Sequence, residues 1–393
     1  TSALVKNRLR AGATSAARSS PLPLSRWQGN LQMICRMKTC TIYAHSISPH
    51  VSQLYTGFSL LAMNGEIRLK QRLYNYSHKN RVVLRNLAPH ALNGLFATID
   101  DKVLFYDTSD SSDLLDGALQ IVDAYFKRSY LRERIPDRYA ARVFPLGLNY
   151  ELYTGRLERH EIARFLFRKS VLNRFPKALL RAVAELASLS FLPTITNMYS
   201  PPKHLQEPQV LFMARAWDPK GELAELTEEE KRERVYINEM RARCIRLLRD
   251  ELGPHFYGGF ARTSYAMDNF KELLVEDALV SGKKRYVSLL HDYPICIATA
   301  GLHGSIGWKM GEYVAFSKAI VSERLNCSVP GDFTCGRNYL EFDTPEMCLE
   351  QTMKLVEGRG LRAQMMEDNW TYYNMHLMPD RLIMRTLKIA SDM

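Results

Sequence analysis

The stretch Pro294-Ile-Cys-Ile-Ala-Thr-Ala-Gly-Leu-His-Gly-Ser-Ile-Gly-Trp-Lys-Met-Gly-Glu-Tyr-Val-Ala-Phe-Ser-Lys-Ala-Ile-Val321 decides how this chain reads. Its first residues form a short apolar run of the kind found in buried strands. Glycines at 301, 304 and 307 then make a loop that leads into a helix beginning between Ser305 and Trp308. A glycine-rich loop between strand and helix turns backbone N–H groups and a helix N-terminus toward any bound diphosphate. Glu312 lies about a turn into the helix, where a carboxylate either accepts both hydroxyls of a ribose or is an ordinary first-turn acid favoured by the helix dipole. Lys309 either meets a phosphate or is solvated, and Lys318-Ala-Ile-Val-Ser-Glu323 reads as the next strand.

Working back toward the middle of the chain, Gln209-Val-Leu-Phe-Met-Ala-Arg215 reads as another strand, followed by Lys220 and Gly221. Two cations and a flexible glycine at the carboxyl end of a parallel strand occupy the place where open α/β sheets bind anions; the alternative is a solvated turn. Thr227 and the acids Glu228 to Glu230 supply the cap and first turn of a helix predicted to run to about Leu252, with Ile237, Met240, Cys244, Ile245, Leu248 and Leu252 at helical spacing. The run Pro254 to Ala261 closes that unit. Asn338 to Phe342 reads as a strand, and Thr344 to about Met366 as a helix.

The first half follows the same logic from Cys40 onward. Cys40 to His45, Arg81 to Leu87, Gly94 to Ile99, Lys102 to Asp110 and Ala141 to Leu148 read as strands, and Leu114 to Phe126 has helical spacing. Strands alternating with helices predict a parallel sheet covered on both faces, here without the G-x-G-x-x-G of dinucleotide binders. His45 and Asp107, each following a predicted strand, are the candidates for a base facing the cleft. Residues 159 to 192 read as mostly helical, and Pro193, Pro201, Pro202 and Pro208 punctuate a linker. The expected fold class is α/β, two Rossmann-like domains facing a cleft. The expected divisions are a basic arm at 1–39, an acceptor domain at 40–205, a nucleotide-binding domain at 206–375 and a C-terminal helix at 376–393.

Composition narrows the field. With 46% hydrophobic and 24% charged residues, the 393-residue chain belongs with globular proteins and has enough length for two cores. Its net charge of +11 includes six basic residues before position 37, where no acid occurs; subtracting those six leaves +5. Basicity is thus mainly a property of the arm, whose acid-free, Arg- and Ser-rich composition suits an organellar, above all mitochondrial, presequence, or an arm that joins a larger assembly. Nucleic-acid binding is the least favoured role, since aromatics interleaved with cations on one face are missing. Seven cysteines form an odd set without C-x-x-C, which argues against a zinc site or a secreted disulfide framework.

Taken together, Arg215-x4-Lys220-Gly221 after a strand, then Phe256-Tyr-Gly-Gly-Phe260, the stretch from Gly301 to Val321 and Tyr372-Tyr-x3-Leu-x-Pro-Asp-Arg-Leu382 resemble the donor domain of GT-B glycosyltransferases of the glycosyltransferase-1-like group. Tyr125 to Tyr130 and Phe144 to Asn149 look like first-domain segments of the same proteins, so the resemblance spans about residues 40 to 385. It implies transfer of a sugar from a nucleotide sugar, a co-substrate rather than a cofactor, to a hydroxyl on a glycan, protein or small-molecule acceptor. Arg215 and Lys220 would hold the diphosphate, Glu312 the ribose, and Gly304, Ser305, Gly307 and Lys309 would lie near the phosphates. The lack of D-x-D fits such proteins, whose diphosphate is neutralised without a metal. Retaining members often carry a second glutamate eight residues before the helix glutamate, and that position here is Gly304. The resemblance therefore admits a second reading, a glycosyltransferase-like fold kept as a non-catalytic subunit of a larger organellar complex.

Overall fold

The computed structural model describes residues 38–44, 48–73, 93–155, 192–204, 207–221, 226–277 and 282–393. In the first lobe these form β1 (Thr39–Ala44), α1 (Ser52–Met63), β2 (Arg68–Leu73), β3 (Gly94–Ile99), β4 (Lys102–Asp107), a single turn α2 (Asp116–Leu119), β5 (Ala124–Lys127) and β6 (Val143–Pro145). They make a six-stranded sheet in the order β2-β1-β3-β4-β5-β6.

The expectation of an all-parallel first sheet is corrected here. β3 runs antiparallel to both β1 and β4. Asp100 and Asp101 alone separate β3 from β4, Ile99 pairs with Lys102, and Asp100 has φ +52°. Two residues suffice for a hairpin, whereas a parallel crossover needs a dozen or more. The predicted helix from Leu114 to Phe126 is corrected too. Only its first turn is helical, and Tyr125 and Phe126 are buried in β5, parallel to β4. The predicted strand from Arg81 to Leu87 and the helical stretch 159–192 lie outside the described residues, apart from Leu192.

The second lobe contains β7 (Val210–Ala214), α3 (Glu228–Leu252), β8 (Phe256–Phe260), α4 (Ser264–Asn269), α5 (Lys283–Asp292), β9 (Ile295–Ala298), α6 (Trp308–Ala315), β10 (Ala319–Glu323), β11 (Leu340–Phe342), α7 (Pro345–Glu357) and α8 (Arg359–Tyr372). Its five strands are all parallel, in the order β11-β10-β9-β7-β8. The order reverses between β7 and β9, which is the switch point of a doubly wound sheet. α3 begins with a reciprocal capping box: Glu230 N–H donates to Thr227 Oγ1 at 3.2 Å and Thr227 N–H to Glu230 Oε2 at 2.8 Å. Such a cap contributes about 1 kcal/mol. The single helix expected from Thr344 to Met366 is two helices, broken at Gly358, where the Arg362 guanidinium takes over the carbonyls of Leu355 and Val356.

Both sheets belong to one compact unit, residues 38–393. After a π-helical turn at Tyr373–Leu377, α9 (Pro379–Asp392) leaves the second lobe and packs on α1 and β4 of the first. Its buried Leu382, Ile383, Leu387 and Ala390 join Phe58, Leu54 and Leu104 in the first lobe's core. A Cβ on Gly57 of α1 would lie 2.3 Å from the Pro379 carbonyl oxygen, so the two helices meet at a point only glycine allows. Among the described residues no helix is long and apolar enough to cross a membrane.

Candidate functional site

The switch point is opened by strand divergence. β7 and β9 pair only through Val210–Ile295 and Leu211–Cys296, whereas β7 pairs with β8 over five residues. Beyond Leu211 and Cys296 the two strands no longer pair, which leaves a gap at their carboxyl ends between Arg215 on one side and Thr299 and Ala300 on the other.

One side chain spans it. Arg241 of α3 donates from Nη1 to the Arg215 carbonyl at 2.6 Å, from Nη2 to the Ala300 carbonyl at 2.8 Å and from Nε to Thr299 Oγ1 at 2.9 Å. It is only 6% exposed, and burial lowers its pKa to about 10 against the opposing pull of Glu323. Glu323, at the end of β10, accepts the Ala300 N–H at 2.6 Å. Ala300 is therefore gripped at its carbonyl by a guanidinium and at its N–H by a carboxylate. One turn earlier on α3, Asn238 accepts the Trp217 N–H at 2.8 Å and donates to the Trp217 carbonyl at 2.7 Å. Arg241 and Asn238 carried no signal of function in the sequence beyond their place on the apolar stripe of α3, at i+4 and i+1 from Ile237.

On this frame the expected cations project differently. Arg215 is exposed, with its guanidinium 4.6 Å from the Trp217 ring centroid. Lys220 is exposed at the next turn, which is closed by its own N–H donating to Asp218 Oδ1 at 2.8 Å. The glycine loop is pinned by Gly301 N–H donating to the Ser305 carbonyl at 2.7 Å and by a bridge between Ala300 and Ile306. His303 and Gly304 both have positive φ, +60° and +62°. The helix begins at Trp308, at the late end of the expected range: Gly307 is the cap of α6, and Ser305 is extended and buried. A small recess lies between loop and β10, lined in part by Thr299, Ala300, Gly304, Ser305, Gly307 and Arg324.

Lys309 and Glu312 turn toward α5 instead. The Glu312 carboxylate is buried and ion-paired with Lys283 of α5. Burial alone would raise its pKa, but the Lys283 and Lys309 ammonium groups outweigh burial and hold it below the usual carboxylate range. Lys309 Nζ lies 4.3 Å from the Tyr286 ring centroid, and burial lowers its pKa to about 8 in spite of Glu312. Lys283 has no prominence in the sequence, because its partner lies 29 residues away on another helix.

In the first lobe, Asp107 is 2% exposed and its carboxylate is committed. It accepts from Lys127 Nζ at 2.9 Å, from the Tyr125 hydroxyl at 2.5 Å and from the Ser109 N–H and hydroxyl at 2.9 and 2.6 Å. His45 lies outside the described residues. Two other first-lobe side chains reach the glycine loop. Arg128, buried and ion-paired with Asp110, donates to the Ile306 carbonyl, and the His50 ring meets Trp308 edge-on at 4.6 Å.

Among solved structures the chain is similar to a glycosyltransferase from Rickettsia africae, with 11% identity, a TM-score of 0.40, and coverage of 91% of this chain and 98% of that one. It is similar to a mutant of S. aureus TarM in complex with fondaparinux, alpha-GlcNAc-glycerol and UDP, with 12% identity, a TM-score of 0.39 and coverage of 90% and 100%. A third is HepE from Anabaena in complex with UDP and glucose, with 10% identity, a TM-score of 0.38 and coverage of 89% and 98%. No family model and no curated protein matches the chain.

Proposed function

We propose that this protein is a glycosyltransferase that takes its sugar from a nucleotide sugar, whose diphosphate lies in the crevice beyond β7 and β9. The observation that carries this reading is the divergence of those two strands with Arg215 on one rim and the glycine loop on the other. A leaving diphosphate develops negative charge as the sugar departs, and fixed cations and backbone amides in a partly dry crevice stabilise it without reorganising. In this reading Arg215 and Lys220 neutralise the diphosphate, Gly304, Ser305 and Gly307 line its path, and Lys309 joins them on leaving the Tyr286 ring. Glu312 meets the ribose once Lys283 has moved aside. The acceptor is a glycan, protein or small-molecule hydroxyl brought in from the first lobe, with His45 the remaining candidate for its base.

The test is calorimetric titration with UDP and GDP. Saturable binding of one of them at or below millimolar concentration is expected; no heat from either removes the assignment. A second reading, binding without transfer, is favoured by the occupied Asp107 carboxylate and the Glu312–Lys283 pair. It predicts nucleotide binding with no release of UDP or GDP from the corresponding nucleotide sugars, with or without simple acceptors.

A further inference from the structure

Arg241 is a residue whose cost to the fold is plain. A guanidinium 6% exposed has lost most of its hydration, and no carboxylate lies within ion-pair distance of it among the described residues. Its nearest counter-charge, Glu323, acts through the Ala300 backbone that both residues hold. Capping two splayed strand ends needs only hydrogen-bond donors, which a neutral side chain can supply. A full positive charge at that point does something more: it sets the potential around the two strand ends whose carbonyls it grips and in the recess beside Thr299 and Ala300, in surroundings of low polarity where charges are felt strongly.

Resting on the glycosyltransferase reading above, we propose that Arg241 is a positioning residue that fixes the two rims of the crevice and, by its buried charge, tunes the site toward a diphosphate rather than a monophosphate or an uncharged nucleoside. Arg215 and Lys220 meet the anion from the solvent side, while Arg241 acts from beneath through the Arg215 and Ala300 peptides. Glu323 has the opposite sign and the same route, so it moderates the attraction and lets product leave. The pair forms a balanced buried couple whose net effect on a bound anion depends on both members.

The experiment compares UDP, UMP and uridine, or the guanosine series if GDP is the better ligand, by calorimetry on the full chain and on Arg241→Gln and Glu323→Gln. Arg241→Gln should weaken the diphosphate by about tenfold, the monophosphate less and the nucleoside least. Glu323→Gln, which keeps an acceptor for the Ala300 N–H, should tighten the diphosphate severalfold. A purely structural role would weaken all three ligands alike, and that result, or unchanged diphosphate affinity in a folded Arg241→Gln protein, overturns the proposal. Should Arg241→Gln fail to fold, Glu323→Gln decides alone: unchanged or weaker diphosphate binding overturns it. If the wild-type chain binds neither UDP nor GDP, the glycosyltransferase reading falls and this inference with it; binding by the wild type with no change in the variants sinks only the inference.

Discussion

The guanidinium of Arg128, in the first lobe, donates to the carbonyl of Ile306, in the glycine loop of the second, 178 residues further along the chain. Ser328 N–H donates to the Tyr130 carbonyl at 2.9 Å close by, so the two lobes are stitched together beside the loop that is to hold the phosphates. Arg128→Ala removes the stitch and leaves Asp110 without its cation. Loss of a charge-assisted hydrogen bond of this kind, with Asp110 left partly solvated, lowers stability by about 2 kcal/mol. Urea unfolding monitored by circular dichroism reads the loss, and a midpoint equal to that of the wild type would show that the contact contributes nothing.

Arg215 and Lys220 are exposed, so their removal should spare the fold and damage the site. Arg215→Ala is expected to weaken UDP or GDP by about tenfold through lost charge-assisted hydrogen bonds, with a smaller loss for Lys220→Ala. Stability should change by no more than about 1 kcal/mol, the worth of the Arg215–Trp217 ring contact. Titration and thermal melts on the same samples separate the two effects. A variant that binds as well as the wild type places the anion elsewhere.

The helix α6, Trp308 to Ala315, was legible because Gly307 stands directly before an amphipathic stretch. The capping box of α3 was legible because its signal is local, Thr227 followed three residues later by Glu230. What escaped depends on residues remote in sequence. The Lys283–Glu312 pair, the commitment of Asp107 to Lys127 and the reach of Arg241 to both strand ends are tertiary contacts, and no spacing rule announces them. The antiparallel β3 was missed for a different reason: two aspartates between apolar runs are a hairpin signal that the alternating β/α pattern masked. Arg241 itself left a trace, a charged residue on the apolar stripe of α3.

Lys318 is 2% exposed, and burial lowers its pKa from 10.5 to about 8. Below pH 8 the ammonium is charged in both folded and unfolded chains, and the folded state bears the desolvation cost. Above pH 8 the folded chain releases the proton while the unfolded chain keeps it, so stability rises with pH, by at most about 1.4 kcal/mol per pH unit for one group. The buried thiols of Cys40 and Cys296, raised to about 12, act in the opposite sense above pH 9, where the unfolded chain ionises first. The Lys318 effect is thus best seen between pH 8 and 9. Lys318→Met should be more stable than the wild type at pH 7, with an advantage that shrinks by pH 9. An advantage constant across urea unfolding curves at pH 7, 8 and 9 contradicts this account.

Gly57→Ala tests the meeting of α1 and α9. The added methyl would lie 2.3 Å from the Pro379 carbonyl oxygen and 2.5 Å from Ile383 Cγ1, so backbone has to yield. Overpacking at such a point costs about 2 kcal/mol or more. Amide exchange should quicken along Pro379–Asp392 more than in the second sheet, and uniform exchange would show that the helix is anchored by other contacts.

The seat of α9 on the first lobe also orders events during synthesis. Thr386, hydrogen-bonded to the Tyr106 hydroxyl at 2.8 Å, leaves the ribosome 280 residues after it. Until then α1 and the first sheet present a bare oily trough to solvent or to any chaperone at hand, and the vectorial, lobe-by-lobe maturation common to multidomain chains is denied to this one. A nascent chain stalled before Pro379 should therefore be a ready client for holdases and for degradation, even with every residue of the first sheet already made.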